Sequence, residues 1–230
     1  MLIHKYKKIT FVHGWLFGPY IWDDIQNYFL SIDNHEIVSM PGYGHQTTSG
    51  KRTDIINSLL LEGEENSLII AYSYGATSIL LSEKMGECRS TILLINPFIK
   101  PKTRSVNELY ENINSDFDST IRRFIHNSVK SDNNHTLNYR KLLNLFYHNP
   151  IPSIEVLNTE LKHLMTIDIS KVSVCESDNI KILLSECDEI NDTRSTCQLE
   201  KKNFMISRVE KSPHYPFFDF DEIYDIIELL

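Results

Sequence analysis

Short apolar runs rich in β-branched residues recur along the chain, and segments with helical spacing separate most of them. Runs of this length are typical of buried strands. Because strands that alternate with helices are joined by crossover connections, the pattern predicts an α/β fold with a mostly parallel central sheet flanked by helices. The predicted strands are residues 9–12, 36–39, 67–71, 91–95, 181–185 and 204–209, and the predicted helices are residues 20–30, 54–61, 75–84, 193–200 and 221–230.

The alternation stops between residues 101 and 168, where no convincing strand occurs. Two groups of apolar residues repeat there at helical spacing: Ile121, Phe124, Ile125 and Val129, and Leu142, Leu143, Phe146 and Tyr147. We therefore predict a single α/β core formed by residues 1–100 and 169–230, with residues 101–168 inserted as a helical cap. A chain of 230 residues with 41% apolar residues suffices for one such core.

Charge is unevenly distributed along the chain. The formal net charge is −8, which argues against a nucleic-acid-binding protein, since such proteins usually neutralise phosphates with a basic face. Between residues 119 and 149, however, five Lys and Arg residues stand against one Asp. We expect this part of the cap to suit an acidic partner that the rest of the surface repels.

The sequence also limits the compartment and the cofactors. No apolar run approaches the roughly 20 residues that span a bilayer, and residues 1–8 lack the continuous apolar segment of a secretory signal. The four cysteines have neither C-x-x-C spacing nor histidines at zinc-ligand intervals. We expect a cytoplasmic monomer with reduced thiols, without a metal or cofactor, and without a nucleic-acid or membrane partner.

A serine between a predicted strand and a predicted helix is the strongest local signal. The segment reads Ala71-Tyr72-Ser73-Tyr74-Gly75. In the α/β-hydrolase fold the nucleophilic serine occupies a sharp strand-to-helix turn, and small residues two before and two after it let the strand and helix approach. Ala71 and Gly75 meet that need, although glycine is usual at the first position. Taken alone, the pattern also fits an ordinary serine at the end of a strand.

The segment His13-Gly14-Trp15 follows the first predicted strand. The α/β-hydrolase fold places there a loop that donates a backbone N–H to the oxyanion of the tetrahedral intermediate. We therefore predict the backbone N–H groups of Trp15 and Tyr74 as the two oxyanion-hole donors. We expect the His13 side chain to hold the loop rather than to contact a substrate.

Two later loops supply candidates for the other catalytic groups. His214 follows the last predicted strand, and histidine suits a general base because its pKa lies near neutrality. The orienting carboxylate is expected after the strand at residues 181–185, and we choose Asp188 because it lies a few residues into that loop. The chain order Ser, Asp, His is the one this fold uses. The competing carboxylates are Glu186, Glu189 and Asp192, the last of which we place at the start of the next helix.

The chain resembles the pimeloyl-acyl carrier protein methyl ester esterases of biotin synthesis, a family of α/β-hydrolases. The similarity runs over most of the chain, and its cap segments separate this family from other α/β-hydrolases. Besides the catalytic candidates, it rests on His13-Gly14-Trp15, Pro41-Gly42-Tyr43-Gly44, Pro213-His214-Tyr215-Pro216-Phe217, Thr120-Ile121-Arg122-Arg123-Phe124 and Pro152-Ser153-Ile154-Glu155-Val156-Leu157-Asn158.

The resemblance implies a serine carboxylesterase that hydrolyses the methyl ester of pimeloyl-acyl carrier protein and releases methanol. It implies Ser73 as nucleophile, Asp188 as acid and His214 as base. Arg123 and Arg140 would face the carrier protein or its phosphopantetheine phosphate, since acyl carrier proteins are acidic; both also fit a solvated helix face. The implied substrate-binding residues are Trp15 and a wall formed by Phe124, Ile125, His126, Asn127 and Ser128.

Two other functions stay open at this point. A general small-ester carboxylesterase or an acyl thioesterase would share the triad and differ only in the cap, and a catalytically silent binding protein would share the fold alone. Epoxide hydrolases and haloalkane dehalogenases of this fold use an aspartate nucleophile, so Ser73 argues against both. Metal-assisted hydrolysis lacks a ligand cluster in the sequence, and phosphate-loop chemistry lacks the Gly-Lys-Ser/Thr element.

Overall fold

A six-stranded sheet forms the centre of the computed structural model, which describes residues 5–29, 34–44, 50–99, 103–168, 172, 178–191 and 197–219. Adjacent strands pair in parallel, in the order β2-β1-β3-β4-β5-β6. The predicted fold class is thereby confirmed. The strands are β1 (Lys8–Val12), β2 (Asn34–Val38), β3 (Ser67–Tyr72), β4 (Thr91–Ile95), β5 (Ile180–Ser185) and β6 (Met205–Val209).

The most apolar runs of the sequence occupy the middle of the sheet. Every residue of β3 is buried, whereas β2 and β6 at the edges are largely half-exposed or exposed. The register places Ile70 of β3 between Phe11 of β1 and Leu93 of β4. A strand covered on both faces needs apolar side chains in both directions, which explains its continuous rather than alternating pattern. The observed strand ends lie within two residues of the predicted ones.

Seven α-helices occur in the described residues, four of them between β4 and β5. Those four lie in the segment predicted as the cap; the division into core and cap stays a prediction. Among the described residues, no helix combines the length and hydropathy needed to cross a membrane. The helices are α1 (Arg52–Leu61), α2 (Tyr74–Leu80), α3 (Thr103–Asn112), α4 (Phe117–Val129), α5 (His135–Tyr147), α6 (Ile154–Met165) and α7 (Cys197–Glu200).

The prediction of a helix at residues 20–30 is wrong. The chain forms two short 3₁₀ turns instead, Pro19–Trp22 and Ile25–Phe29. The apolar spacing of this segment resembles that of a helix, but the turns bring both Trp22 and Phe29 against Phe11, with ring centroids 5.1 and 5.7 Å away. Packing against β1 therefore overrides the local helical pattern.

Three other predicted helices have different outcomes. The helix predicted at residues 75–84 ends early, because the Ser82 hydroxyl accepts the Lys84 N–H and donates to Asn57, which offers the backbone an alternative to a further helical turn. Of the helix predicted at residues 193–200, only Cys197–Glu200 lies in the described part of the chain. The helix predicted at residues 221–230 lies outside the described residues.

Two of the four helices between β4 and β5 begin at a side-chain N-cap. Asp116 accepts the Ser119 N–H at the start of α4, and Ser153 accepts the Val156 N–H at the start of α6, so each supplies an N-cap. On α4, the apolar stripe that predicted the helix is fully buried, while Arg122 and Arg123 face outward. Helix α4 packs on α5, and α3 packs on α6, which arranges the four helices in two pairs.

Candidate active site

Ser73 occupies a sharp turn between β3 and α2. Its backbone has φ 54° and ψ −120°, a conformation that residues with a side chain seldom adopt. The Ser73 N–H donates to the Ile95 carbonyl at 2.8 Å, and the Ser73 carbonyl accepts the Thr77 N–H at 3.0 Å. These bonds hold the strained turn from both sides, so that the serine is presented at the carboxyl edge of the sheet.

Two glycines allow the close approach that this turn needs. A Cβ at Gly75 would lie 2.4 Å from the His13 carbonyl oxygen, and a Cβ at Gly14 would lie 2.9 Å from the Ser73 Cβ. Both distances are shorter than real Cβ contacts, so any side chain would push the β1 loop away from α2. The sequence prediction that small residues surround the serine thus has a steric basis at Gly75, and Gly14 adds a second one.

His214 and Asp188 complete a buried hydrogen-bonded chain that starts at Ser73. The Ser73 Oγ lies 3.0 Å from the His214 Nε2, and the His214 Nδ1 lies 2.7 Å from the Asp188 Oδ2. None of the three is more than 6% exposed. With its Nδ1 proton directed at Asp188, the imidazole presents the Nε2 lone pair to the serine hydroxyl. The structure therefore brings together the three side chains predicted as the triad.

The environment of Asp188 keeps its carboxyl ionised. Burial alone would raise the pKa of Asp188, but His214 and the backbone N–H groups of Asn191 and Ile190 outweigh it, so the pKa lies below its ordinary value. The Ile190 and Asn191 N–H groups donate to Oδ1 at 2.7 and 2.9 Å. The Asn191 amide also donates to Oδ2 at 2.9 Å. A fixed negative charge thus faces the imidazole ring.

Glu186 and Glu189, two of the competing carboxylates, do not occupy this position. Glu186 and Glu189 are exposed, and Glu189 lies near Lys130. Asp192 lies outside the described residues.

Sequence reasoning missed Asn96, a residue that fastens the His214 loop. Its amide donates to the His214 carbonyl at 2.8 Å and to the Ser185 hydroxyl at 2.8 Å, and its Oδ1 accepts the Ser185 N–H. Asn96 follows β4 with φ 46°, a left-handed conformation that asparagine tolerates better than most residues. An asparagine followed by proline directly after a buried strand was the available signal.

The two predicted oxyanion donors border Ser73. Tyr74 is the first residue of α2, where a backbone N–H has no acceptor within the helix. Trp15 follows Gly14, whose Cα lies against Ser73, and its ring is buried.

His13 holds the β1 loop as a neutral ring. Its Nδ1 lies 2.9 Å from the Gly14 carbonyl, and its Nε2 accepts the Met40 N–H at 3.2 Å. Burial, helped by the nearby Arg52 charge, lowers the pKa of His13 to about 3. The ring therefore stays uncharged in the folded protein at neutral pH and joins the loops after β1 and β2.

An apolar cavity of about 50 Å³ is lined by Trp15, Phe98 and Ile190 and by residues of α3, α4 and α6. None of the three triad side chains lines it, but the Phe98 ring packs against the His214 ring with centroids 5.5 Å apart. Asn127 and Arg123 add polar groups to its wall. At this volume it has room for only a few water molecules. Its apolar lining includes Trp15, Phe98, Phe124, Leu161 and Leu164.

The predicted continuous wall of residues 124–128 needs correction. Phe124 and Asn127 line the cavity, with the Phe124 ring edge-on to Trp15 at 4.8 Å. His126 is exposed and packs against Tyr139, while Ile125 and Ser128 are buried away from the cavity lining. Consecutive helical residues point about 100° apart, so a helix presents residues three or four apart to one surface and not five in a row.

The two predicted carrier-binding arginines differ in position. Arg123 is exposed on α4, at the edge of the cavity, with its guanidinium 3.6 Å from the Glu108 carboxylate. Arg140 is exposed on α5 and does not line the cavity. Only Arg123 therefore adjoins the site directly.

The described residues contain no group of three or more His, Cys, Asp or Glu side chains that could hold a metal ion.

Known structures superpose on nearly the whole chain. An esterase from Exiguobacterium antarcticum matches 97% of the chain and 90% of its own length, with a TM-score of 0.76 at 16% identity. A bromoperoxidase from Bacillus anthracis matches 97% and 91%, with a TM-score of 0.75 at 11% identity. The chain therefore has the α/β-hydrolase fold. At identities this low the two structures share its fold, and they say nothing about its substrate.

Sequence relatives narrow the assignment. A pimeloyl-[acyl-carrier protein] methyl ester esterase of Wigglesworthia glossinidia brevipalpis is 26% identical over 186 residues, which is 70% of this chain and 67% of the relative. An enzyme of the same name from Pectobacterium carotovorum is 25% identical over 175 residues, or 70% and 68% of the two chains. No protein-family model matches the chain. The predicted resemblance to these esterases is confirmed. The chain is a carboxylic ester hydrolase with the α/β-hydrolase fold.

Proposed function

We propose that this α/β-hydrolase is a serine carboxylesterase that converts pimeloyl-acyl carrier protein methyl ester to pimeloyl-acyl carrier protein and methanol in biotin synthesis. The observation that carries the proposal is the buried chain of hydrogen bonds from Ser73 through His214 to Asp188. The names of the two relatives supply the substrate.

Acylation begins when His214 removes the proton from the Ser73 hydroxyl. The Ser73 Oγ attacks the ester carbonyl carbon, and Asp188 stabilises the imidazolium that forms. The tetrahedral intermediate collapses by breaking the bond to the methoxy oxygen, which takes the proton from His214 and leaves as methanol. The pimeloyl group is then esterified to Ser73.

Deacylation uses the same groups on a water molecule. His214 takes a proton from the water, the hydroxide attacks the acyl carbon, and the proton returns to the Ser73 Oγ as the bond to the acyl group breaks. The backbone N–H groups of Trp15 and Tyr74 donate to the oxyanion in both halves of the reaction. Each such donor stabilises the transition state by about 3 kcal/mol.

The acyl chain would occupy the apolar cavity beside Trp15 and Phe124. Its volume of about 50 Å³ is smaller than a seven-carbon chain, so we expect the site to widen when the substrate binds. Ser73 is 2% exposed, which agrees with a closed site.

The carrier protein is proposed as the partner of the cap. Arg123 at the edge of the cavity and Arg140 on α5 would contact the acidic carrier or its phosphopantetheine phosphate. The segment at residues 119–149, with five basic residues against one acidic, is suited to such a partner on a chain whose net charge is −8. The cytoplasmic monomer expected from the sequence stays a prediction.

Demethylation of the carrier-bound ester tests the proposal. Purified protein is incubated with pimeloyl-acyl carrier protein methyl ester, alongside Ser73→Ala, and the mass of the carrier is followed. The expected result is the exchange of one methyl group for hydrogen with wild type and not with the variant. If wild type leaves this substrate intact but cleaves a short aryl ester, the chain is the general esterase and the carrier-directed role is rejected.

The cap arginines give a second, independent test. Arg123→Gln is expected to raise the KM for the carrier-bound ester by about three- to tenfold and to leave a short aryl ester unchanged, because it removes one exposed charge contact. Arg89→Gln, an exposed arginine outside the cap, is the matched control. Equal effects of the two variants on the carrier-bound ester would reject the role of Arg123.

A further inference from the structure

A buried polar cluster outside the triad takes no part in the proton transfers of the proposed ester hydrolysis. It joins helix α6 to four other segments: the loop after β1, the turn after β2, the start of α1 and the start of α2. Its central member is Glu160, which is 8% exposed. Burial of a carboxylate is unfavourable unless it is paired and hydrogen-bonded. The hydrogen-bond partners of Glu160 therefore show which segments this carboxylate connects.

One oxygen of Glu160 reaches the predicted oxyanion loop through a tyrosine. The Tyr43 hydroxyl donates to the Glu160 Oε2 at 2.6 Å and accepts the backbone N–H of Leu16 at 3.2 Å. Leu16 directly follows Trp15 and has φ 73°, a left-handed conformation that is unfavourable for leucine. Tyr43 thus stabilises the backbone where the loop is under strain, one residue beyond the proposed donor.

Helix α6 also holds the Trp15 ring. The Trp15 indole N–H donates to the Leu157 carbonyl at 3.2 Å, in a buried contact. The turn after β2 also packs closely on α6. A Cβ at Gly42 would lie only 2.6 Å from a Val156 methyl group, so this contact needs glycine. The loop that carries Trp15 is therefore attached to α6 through both its side chain and its backbone.

The other proposed donor is attached to the same helix. The Tyr74 hydroxyl lies 2.8 Å from the His163 Nδ1, and the Arg52 guanidinium stacks on the Tyr74 ring at 4.4 Å. Arg52 in turn donates to the Glu160 Oε1 through its Nε at 2.9 Å and its Nη2 at 2.6 Å. The Arg52–Glu160 pair thus connects the Tyr74 contact to the Tyr43 contact.

The protonation states of Tyr43 and His163 agree with Tyr43 and Tyr74 as the donors of these hydrogen bonds. Burial, followed by the nearby Glu160 charge, raises the pKa of Tyr43, so Tyr43 stays neutral and donates to the carboxylate. Burial, followed by the Arg52 charge, lowers the pKa of His163, which keeps its Nδ1 available as an acceptor for Tyr74.

The residues of α6 that make these bonds are three apart: Leu157, Glu160 and His163. Residues with this spacing share one face of a helix. We infer that this face of α6 positions the oxyanion hole, with Tyr43 and Glu160 as positioning residues that hold the backbone N–H groups of Trp15 and Tyr74 in place. The inference rests on the proposed function, because it assigns these donors to the proposed ester hydrolysis.

Kinetics of Tyr43→Phe and Glu160→Gln test this inference. Tyr43→Phe removes the acceptor of the Leu16 N–H, and Glu160→Gln removes the charge that holds Arg52. With a short aryl ester, each variant is expected to lower kcat by about tenfold with KM within about twofold, since a loosened donor acts on the transition state. Glu155→Gln, the same change at an exposed position of α6, is the control and should leave kcat unchanged.

A trifluoromethyl ketone separates positioning from general damage. It forms an oxyanion adduct with an active serine, so its inhibition constant should rise in proportion to the loss of kcat in Tyr43→Phe and Glu160→Gln. The melting temperature is measured on each variant. If a variant melts earlier but keeps kcat and the inhibition constant of wild type, the residue serves stability alone and the inference is overturned.

The same experiment keeps the two proposals apart. Hydrolysis of the aryl ester by wild type, with fluorophosphonate labelling of Ser73, supports the esterase whatever the variants do. An active wild type with unaffected variants rejects positioning by α6 and leaves the esterase standing. An inactive and unlabelled wild type rejects the esterase and, with it, the inference. If Glu160→Gln does not fold, Tyr43→Phe and His163→Phe decide the outcome.

Discussion

Two buried polar clusters flank the start of α2, and they are assembled differently. The triad cluster, Ser73, His214 and Asp188, comes from loops that follow β3, β6 and β5, all within the predicted core. The cap cluster, Tyr43, Arg52 and Glu160, joins the core to a helix more than a hundred residues further along the chain.

The difference lies in what each cluster can do. The triad contains a histidine next to a serine hydroxyl, so a proton can pass between them during a reaction. The cap cluster contains a guanidinium and a carboxylate in a fixed pair at 2.6 Å, together with a tyrosine whose proton burial retains. We expect changes in the triad to affect the rate with little effect on stability, and changes in the cap cluster to affect stability and, more modestly, the rate.

Ser73→Ala should show the largest effect on rate. Loss of the nucleophile is expected to lower kcat for any ester by about 10⁴-fold or more, since only the oxyanion donors and binding remain. The melting temperature should stay close to that of wild type. Ser78→Ala, which removes a hydroxyl bonded to the Tyr74 carbonyl one turn along α2, is the matched control. Comparable losses in the two variants would contradict the assignment.

Asp188→Asn should have the next largest effect. The amide cannot stabilise the imidazolium, so kcat is expected to fall by about 10³- to 10⁴-fold while the fold is kept. Stopped assays at neutral pH measure the loss. Glu189→Gln changes the adjacent exposed carboxylate and should have no such effect. If Glu189→Gln were the more damaging change, the acid would have been misassigned.

Glu160→Leu should lower stability most. It leaves the Arg52 guanidinium, with a side chain 10% exposed, without its carboxylate, and we expect the free energy of unfolding to fall by about 3 kcal/mol. Urea denaturation measures the change. The double variant Glu160→Leu with Arg52→Leu removes both charges and should recover most of the loss. No recovery in the double variant would show that packing, rather than the unpaired charge, is responsible.

His13 should make the stability dependent on pH. Its folded pKa of about 3 lies below the ordinary value of 6.5, so between these values the unfolded chain binds a proton that the folded protein does not. Stability is therefore complete above pH 6.5 and falls as the pH drops. From pH 7 to pH 5 the expected loss from His13 is about 2 kcal/mol.

Comparison with His13→Gln isolates the contribution of His13 to the pH dependence of stability. The lowered pKa of His163 adds a loss of the same sign, and the two proteins share it. Urea denaturation at a series of pH values should give a smaller slope for His13→Gln, even though that variant is less stable at pH 7. Parallel slopes would show that His13 does not carry the dependence.

Much of the core could be predicted because its signals are local. Continuous apolar runs such as the one in β3 are typical of strands buried in a parallel sheet, and the small residues around Ser73 are typical of the sharp strand-to-helix turn. The loops that carry Asp188 and His214 follow from the same reasoning, because the carboxyl ends of parallel strands meet at one edge. The helix prediction for residues 20–30 failed, because the contacts of this segment with Phe11 on β1 cannot be read from its own apolar spacing.

By itself, the sequence determined the sheet, the order Ser73, Asp188, His214 and the helical nature of the segment between β4 and β5. Only the tertiary structure decided which of residues 124–128 face the cavity, because helix rotation depends on packing against its neighbours. It also decided that Glu160 lies between Tyr43 and Arg52. Side chains more than a hundred positions apart leave no local pattern, so their contacts appear only when α6 is packed against the turn after β2 and the start of α1.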